Sequence, residues 1–309
     1  MTRLSTIADT PRIAATLGDP AGIGPEVLHA AVRLFPIAVI GPDSWRSHFP
    51  EGTHWHATPE RGPVTSGVPS TASARIAFDC LEIATSLAAR GEIDALVTAP
   101  VSKASLYPLG FDWPGQTEYL AHRAGVQDFA MMLAGPSLRT VPVTIHIPLS
   151  EVLQQLTPAL LARRLRVTHA AMIRDFAISS PRIAVAGLNP HAGEGGALGA
   201  EEQTIIAPVL EALRAEGMTL IGPLSADTMF HANARAHYDV ALCMYHDQAL
   251  IPIKTLDFDE GVNLTLGLPY VRVSPDHGTA FDIAGRGLAR PDAMIAAVRM
   301  AQNCIVNRA

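Results

Sequence analysis

Three histidines stand where strand-like segments of the sequence end, and a histidine in such a position is a candidate metal ligand. His146 closes the run VPVTIHIP, His191 follows RIAVAGLNP, and His246 follows YDVALCMY. Neutral imidazole nitrogens are common ligands of zinc, nickel and cobalt. The three residues are too far apart along the chain to match the short spacings of zinc fingers. The residues alone therefore leave two interpretations open, one shared metal ion or three strand-end histidines with ordinary hydrogen bonds.

Other polar clusters also follow strand-like segments. In open α/β sheets, ligands bind beyond the carboxyl ends of the strands, so we expect these clusters to converge on one cleft. The clusters are GDPAGIGPE at 18–26, TAPVSK at 98–103, GQTE at 115–118, HIPL at 146–149, NPHAGEGG at 189–196, YHDQ at 245–248 and DHGTAFDIAGRG at 276–287.

The elements that must position these clusters are predicted from the alternation of short apolar runs with amphipathic stretches. This alternation is typical of βα units around a largely parallel, buried sheet, so the predicted fold class is α/β. One helix is predicted to begin at Thr157 and Pro158, an N-cap followed by proline. Another is predicted over 200–217 and ends at Gly217. The Pro-, Gly-, Ser- and Thr-rich segment 48–73 is predicted to be an irregular surface connection.

Composition excludes several classes of protein. The 309 residues are 48% hydrophobic and 17% charged, which excludes a disordered chain. No stretch reaches the roughly 18 uninterrupted apolar residues of a membrane-spanning helix, and the N-terminus does not fit a secretory signal. A net charge of −6 without a basic run argues against a nucleic-acid partner. Three scattered cysteines fit neither a disulfide framework nor a paired metal site, so we expect a cytoplasmic protein with reduced thiols.

Long motifs in a fixed order carry a resemblance to a known family. They are TLGDPAGIGPE, VTAPVSK, GQTEYLA, GLNPHAGEGG, GPLSADTMF, YHDQALIPIK and GVNLTLGLPYVRVSPDHGTAFDIAGRG. Nearly throughout its length the chain resembles the 4-hydroxythreonine-4-phosphate dehydrogenase family of vitamin B6 synthesis. The resemblance implies a homodimer with an isocitrate/isopropylmalate dehydrogenase-like fold, in which two α/β/α subdomains flank a cleft. Residues 1–120 and 273–309 would form the first subdomain, which carries the NAD loop. Residues 121–272 would form the second, which carries the metal site and the dimer interface.

The resemblance also assigns His146, His191 and His246 to one divalent metal ion at the subunit interface. Imidazole ligands suit zinc, cobalt or nickel better than magnesium, which prefers oxygen. Asp227 and Asp247 match acidic residues that help to maintain the family's active site. Asp247 follows a proposed ligand directly, so it is expected either to fix the tautomer of that imidazole or to take the proton of the substrate hydroxyl. For Asp227, a simple hydrogen bond at a strand end is the alternative.

A set of residues for the substrate follows from the same resemblance. Lys254, Asn263 and Arg272 match positions that hold the substrate and its phosphate, and Thr117 matches a further contact. Arginine offers a planar fork to phosphate oxygens and lysine a point charge, although both could instead be solvated surface charges. Gln116 departs from the family, which typically has histidine there. Glutamine cannot become a cation near neutral pH, so a changed substrate stays open.

The cofactor is expected on a loop that contains none of the predicted metal-binding or substrate-binding residues. GDPAGIGPE is rich in glycine, but its spacing is not the dinucleotide fingerprint, and a tight βα connection explains it equally well. The run DHGTAFDIAGRG resembles the loop that cradles the adenosine half of NAD in the isopropylmalate dehydrogenase group. By that resemblance, NAD, or NADP, lies against His277, Gly278, Thr279, Ala280 and Asp282.

The predicted function is metal- and NAD-dependent oxidation of a small phosphorylated alcohol. The resemblance implies that 4-phosphooxy-L-threonine is oxidised and decarboxylated to 3-amino-2-oxopropyl phosphate, in pyridoxal 5′-phosphate biosynthesis. A related dehydrogenase for 4-phospho-D-threonate, 4-phospho-D-erythronate or a carboxylated cis-dihydrodiol is the nearest alternative. A metal-dependent hydrolase or a non-catalytic metal-binding protein is the alternative from another class.

Overall fold

The computed structural model describes residues 12–309, which fall into two compact units. Within the described residues, the first unit comprises 12–112 and His277–Ala301, and the second comprises Trp113–Asp276 and Gln302–Ala309. The predicted boundaries were 120 and 273, so the first division falls earlier than predicted and the second falls later. The last helix is shared between the two units. Its residues up to Ala301 belong to the first unit, and its residues from Gln302 onward belong to the second.

The first unit is a parallel sheet with helices connecting its strands. Its strands are β1 (Ile13–Thr16), β2 (Ala38–Pro42), β3 (Trp55–Thr58) and β4 (Ala95–Thr98), in the order β3-β2-β1-β4. Its helices are α1 (Gly24–Val32), α2 (Thr71–Ala89) and α3 (Lys103–Leu106). Every residue of β1, β2 and β4 is buried, as is typical of parallel strands covered on both faces. The prediction of an irregular segment over 48–73 is wrong in part, because it contains the edge strand β3 and the start of α2.

The second unit contains a mixed sheet. Its strands are β5 (Ala130–Ala134), β6 (Arg139–Pro142), β7 (Arg182–Ala186), β8 (Thr219–Leu224), β9 (Val240–Cys243), β10 (Val262–Leu266) and β11 (Val271–Pro275). Within this unit their order is β11-β10-β5-β6-β9-β7-β8. Its helices are α4 (Gln116–Arg123), α5 (Val152–Gln155), α6 (Pro158–Arg174), α7 (Ala207–Ala215), α8 (Ala232–Arg235) and α9 (His246–Leu256). The helix α10 (Asp292–Arg308) closes the chain.

The sheet of the second unit is only partly parallel, in contrast to the prediction. Strands β6, β9, β7 and β8 run parallel, whereas β10 is antiparallel to both β5 and β11, and β5 is antiparallel to β6. The connections β5–β6 and β10–β11 are a few residues long, and so short a link can join only antiparallel neighbours. The parallel part carries the three candidate histidines.

Local signals placed two helices correctly. Thr157 caps α6, since its hydroxyl oxygen accepts a hydrogen bond from the backbone N–H of Leu160 at 3.2 Å. The helix predicted over 200–217 is present as α7, preceded by a π-helical turn over Glu202–Ile206. Gly217 follows it with φ of 97°, a left-handed conformation that favours glycine. Within residues 12–309, no helix is both long enough and apolar enough to cross a bilayer.

Candidate active site

Two of the predicted metal-binding histidines lie side by side in the second unit. The ring centroids of His146 and His246 are 5.9 Å apart, and the ring planes are tilted by 43°. Both line a pocket of about 250 Å³, with Tyr245 and Asp247 among its other walls. Each histidine side chain is 37% exposed, so an ion can reach the pair from solvent.

The pairing of β6 with β9 brings these two histidines together. The strands run parallel, with Pro142 opposite Cys243. The pairing continues past both strands, because the Thr144 hydroxyl and backbone N–H donate to the carbonyl oxygen of Met244 at 2.8 and 3.3 Å. Two residues further along each chain segment stand His146, with φ of 53°, and His246, the first residue of α9. Adjacent parallel strands therefore deliver both rings to the same edge of the sheet.

A carboxylate lies beside each ring. Nδ1 of His246 is 2.7 Å from Oδ1 of Asp247, which is a hydrogen bond. Nδ1 of His146 is 3.9 Å from Oε1 of Glu118, a mostly buried side chain on α4. A carboxylate that holds Nδ1 of a histidine leaves Nε2 as the ligand atom and fixes the ring's orientation. Asp247 therefore lies where it could fix the tautomer of His246, which is one of its two predicted roles and stays a prediction.

His191 follows β7, the other neighbour of β9, but it does not complete a group of three. It lies in the 3-10 turn Pro190–Gly196 with φ of 51° and is exposed. Among residues 12–309 of one chain, no three His, Cys, Asp or Glu side chains form a group that could hold a metal ion. A single chain therefore presents a pair of imidazoles, and His191 stays a predicted third ligand.

Arg272 is the predicted substrate-binding residue with the most unusual surroundings. It lies on β11 and is 4% exposed, so the alternative of a solvated surface charge is wrong for it. Its Nη1 lies 3.3 Å from the Thr117 hydroxyl and 3.2 Å from the Thr265 hydroxyl, and its Nη2 lies 3.5 Å from Oε1 of Gln116. Burial lowers the pKa of Arg272 to about 10, despite the opposing charges of Tyr270 and Glu118. The structure thus brings together three predicted substrate residues, Gln116, Thr117 and Arg272.

The remaining polar residues of the predicted site occupy separate positions in the second unit. Nζ of Lys254 on α9 pairs with Oδ2 of Asp276 at 2.8 Å and is 41% exposed. Asn263 on β10 has a buried Oδ1 that makes no hydrogen bond within the described chain. Asp227, in the turn after β8, is exposed and accepts a hydrogen bond from the Ser225 hydroxyl at 2.6 Å, the local arrangement that the sequence analysis gave as its alternative.

The predicted cofactor loop lies in the first unit. The carbonyl oxygen of Thr279 accepts a hydrogen bond from the backbone N–H of Ile23 at 2.9 Å, and Ala280 adopts φ of 42°. A Cβ built on Gly278 would meet no described atom within 4 Å, so open space lies beside the loop. His277 has a buried Nε2 without a hydrogen bond in the described chain, and Asp282 is exposed. The buried Nε2 of His277 makes no hydrogen bond in the described chain, and the open space beside Gly278 leaves room for a ligand at this loop.

The comparison with known families identifies the family of this chain. The family model of the pyridoxal phosphate biosynthetic protein PdxA matches residues 23–301. The chain belongs to the PdxA family. The 4-hydroxythreonine-4-phosphate dehydrogenase of Zymomonas mobilis is 50% identical, over 96% of this chain and 96% of its own length. The predicted family and the predicted class, a dehydrogenase, are confirmed.

Solved structures agree with this assignment. A structure described as a putative 4-hydroxythreonine-4-phosphate dehydrogenase from Salmonella typhimurium has a TM-score of 0.85 and 36% identity, over 96% of this chain and all of that one. A terephthalate 1,2-cis-dihydrodiol dehydrogenase from Burkholderia xenovorans has a TM-score of 0.70 and 30% identity, over 94% of this chain and 97% of that one. A β-decarboxylating dehydrogenase from Thermococcus kodakarensis has a TM-score of 0.51 at 17% identity, which shows a shared fold alone. The predicted fold class is confirmed.

Two residues that support the site of this PdxA-family chain were missed by the sequence analysis. The side-chain amide of Gln248 accepts from the backbone N–H of Met244 at 2.7 Å and donates to the carbonyl oxygen of Gly187 at 2.8 Å. It therefore ties the end of β9 to the end of β7. Its place in the motif YHDQ, directly after Asp247, was the signal that could have identified it.

The second missed residue is Glu202, which holds the segment that leads to His191. Its Oε1 accepts from the backbone N–H groups of Leu188 and Asn189 at 2.8 and 2.7 Å, and its Oε2 accepts from the Asn189 amide at 3.0 Å. Burial opposes ionisation of this carboxyl, but the hydrogen bonds from Asn189 and Leu188 outweigh burial and lower the pKa of Glu202. A glutamate inside an amphipathic helical pattern carries no signal of this role.

Proposed function

We propose that this protein oxidises 4-phosphooxy-L-threonine with a nicotinamide cofactor and that decarboxylation yields 3-amino-2-oxopropyl phosphate. The observation that carries the proposal is the His146–His246 pair at adjacent strand ends, in a chain whose relatives are named 4-hydroxythreonine-4-phosphate dehydrogenases. These names also make a metal-dependent hydrolase or a non-catalytic metal-binding protein a poor explanation of the pair. The expected cytoplasmic location and the absence of a nucleic-acid partner stay predictions.

The donor set suits a divalent metal of the zinc, cobalt or nickel type. The imidazoles of His146 and His246 would be two ligands, the second with Asp247 hydrogen-bonded to its Nδ1, and His191 of a second copy of the chain would be the third. Such a metal supplies Lewis acidity, which lowers the pKa of a bound alcohol and stabilises negative charge on oxygen. Magnesium fits less well, because the candidate ligands are imidazole nitrogens and magnesium prefers oxygen ligands.

A homodimer would provide that second copy. Leu149, Leu153 and Ile251 are 69%, 58% and 64% exposed, although all three are large and apolar. Leu149 lines the same pocket as the histidine pair, and Ile251 is on α9, which begins at His246. Apolar residues exposed beside a functional site are typical of a surface that another chain covers.

The chain's own residues would hold and prepare the substrate. Arg272, fixed by Thr117 and Thr265, would bind the phosphate, since a buried guanidinium gains strongly from an anionic partner. Lys254 would add a second positive charge. Asp247 would keep the tautomer of His246 and could accept the hydroxyl proton of the substrate.

The cofactor loop would bind the nicotinamide cofactor, and NAD is the form that we propose. The open space beside Gly278 and the unsatisfied Nε2 of His277 support a ligand at this loop.

The test is an assay of NADH absorbance with a panel of alcohols, with and without added zinc, cobalt or nickel. The proposal expects turnover of 4-phosphooxy-L-threonine that a chelator abolishes and that metal restores. Turnover of a carboxylated cis-dihydrodiol alone would favour the second candidate. That candidate has two supporting observations, the dihydrodiol dehydrogenase of similar fold and Gln116 in place of the family's histidine.

A further inference from the structure

A pocket of about 850 Å³ lies in the first unit, beside the predicted cofactor loop, and is lined by residues other than the five that are predicted to contact the cofactor. Its walls come from the turn before α1 and the first turns of that helix, from the segment after β2, from the segment after β3, and from the end of the cofactor loop. The residues that the argument below uses are Gly22, Glu26, Trp45, His48, Glu60 and Gly285.

Close backbone contacts hold these walls together. The Glu26 carboxylate accepts a hydrogen bond from the backbone N–H of Gly285. A Cβ on Gly22 would lie 2.6 Å from the carbonyl oxygen of Thr279, and one on Gly285, which has φ of 76°, would lie 2.7 Å from Cβ of Ser66. Only glycine fits at either position. The close approach of the segments that form the pocket therefore depends on these two glycines.

One wall offers a flat aromatic surface. The rings of Trp45 and His48 have centroids 4.9 Å apart and are tilted by 33°. The carbonyl oxygen of His48 is 2.7 Å from Nδ1 of His29, which fixes the segment to α1. Indole is a good stacking surface for a nucleotide base, because every base has a π-face.

The charge of the pocket is negative. Glu26 and Glu60 line it, and none of the described residues that line it is a lysine or an arginine. Glu60 is held in place, since its two carboxylate oxygens accept from the backbone N–H and the hydroxyl of Ser44 at 2.9 and 2.8 Å. The neighbouring Arg61 is engaged elsewhere, with its Nε 2.6 Å from Oδ2 of Asp79. A carboxylate accepts hydrogen bonds from ribose hydroxyls but repels a phosphate.

We propose that this pocket binds the adenosine end of the nicotinamide cofactor, with the base on Trp45 and an unphosphorylated ribose facing Glu60. Glu60 is then the residue that selects NAD over NADP. The inference rests on the proposed function, because it takes the cofactor to be a nicotinamide dinucleotide. The inference extends the predicted cofactor site to Trp45 and Glu60, which lie outside the predicted loop. It also gives a physical reason why the protein would bind NAD in preference to NADP.

The first experiment measures the affinity of ADP-ribose by calorimetry, with the full-length protein. Trp45→Ala should weaken binding about tenfold through the loss of base stacking, whereas Trp45→Phe should retain most of the affinity. Circular dichroism checks that both variants fold.

The second experiment measures the dissociation constants of NAD and NADP. Glu60→Gln keeps both contacts to Ser44 but removes the charge, so the preference for NAD over NADP should fall about tenfold. Glu51→Gln, in the connection between β2 and β3 and outside the pocket, is the control and should leave the preference unchanged.

The outcomes separate the two proposals. If wild-type protein binds NAD and ADP-ribose, but Trp45→Ala leaves the affinity for ADP-ribose unchanged and Glu60→Gln leaves the preference for NAD over NADP unchanged, the pocket assignment is overturned and the proposed oxidation stands. If wild-type protein binds neither ADP-ribose nor NAD at millimolar concentration, the proposed function fails, and the pocket assignment fails with it.

Discussion

Nη1 of Arg272 lies 3.3 Å from the hydroxyl oxygen of Thr117, and both side chains are buried. The two residues are on different elements, β11 and α4, so this contact fixes the guanidinium from outside its own strand. A guanidinium with lowered pKa and fixed orientation is prepared for an anionic ligand, and phosphate is the anion that the proposed substrate carries.

Replacing Arg272 should therefore affect the substrate and not the cofactor. Arg272→Lys removes the planar fork, so we expect KM for the phosphorylated substrate to rise by about one to two orders of magnitude, with KM for NAD little changed. Steady-state kinetics measure both constants. Arg123→Lys, on the exposed face of α4, is the control. Equal rises in both KM values would contradict the phosphate assignment.

Gln116 should control how the reaction depends on pH. Its Oε1 is 3.5 Å from Nη2 of Arg272, so a side chain at this position touches the group that is proposed to bind phosphate. Gln116→His introduces a group that titrates near neutral pH, so we expect the pH dependence of KM for 4-phosphooxy-L-threonine between about pH 6 and 7 to differ from that of wild-type protein.

Profiles of kcat/KM against pH for wild-type protein and this variant check the expectation. Identical profiles would show that position 116 does not contact the bound substrate. Higher activity of Gln116→His on 4-phosphooxy-L-threonine, with loss of activity on another member of the panel, would identify Gln116 as a residue that sets substrate choice.

Glu202 should contribute stability that depends on pH. Because hydrogen bonds lower its pKa in the folded state, its contribution is fully present above the usual carboxyl value of 4.5 and is lost as pH falls through the lower folded value. Glu202→Gln should cost about 1–2 kcal/mol of unfolding free energy at pH 7, because an amide nitrogen would face the Asn189 amide.

Urea unfolding at pH 7 and at pH 3.5 measures the difference, which should shrink at the lower pH. Glu211→Gln on the exposed face of α7 is the control and should change little at either pH. A cost that stays constant down to pH 3.5 would show that ionised Glu202 does not hold the segment before His191.

Sequence reasoning predicted the parallel part of the fold because continuous apolar strands and capped helices are local patterns. It placed His146 and His246 at strand ends, and the register of β6 against β9 then made them neighbours. It did not predict that β10 is antiparallel to its neighbours, because a run of apolar residues carries no information about the direction of a strand. The edge strand β3 was missed as well, because its half-exposed residues lie among prolines and glycines.

The supporting residues of the site were harder to predict for a physical reason. Gln248 and Glu202 act by holding backbone groups that are distant in sequence, and such a role leaves no pattern along the chain. The roles of the acids, the substrate residues and the cofactor loop came from family resemblance and stay predictions. The third metal ligand also stays a prediction, because one chain brings only two of the histidines together.

The most direct test of a metal site shared between two chains mixes two inactive variants. His191→Ala and His246→Ala should each abolish turnover and should each retain the wild-type fold by circular dichroism. Random exchange of subunits makes half of the dimers mixed, and each mixed dimer would carry one intact site, so the mixture should recover about a quarter of wild-type activity. Recovered activity that a chelator abolishes is the result that we predict. Full activity of either variant alone, or no recovery after verified subunit exchange, would contradict the account.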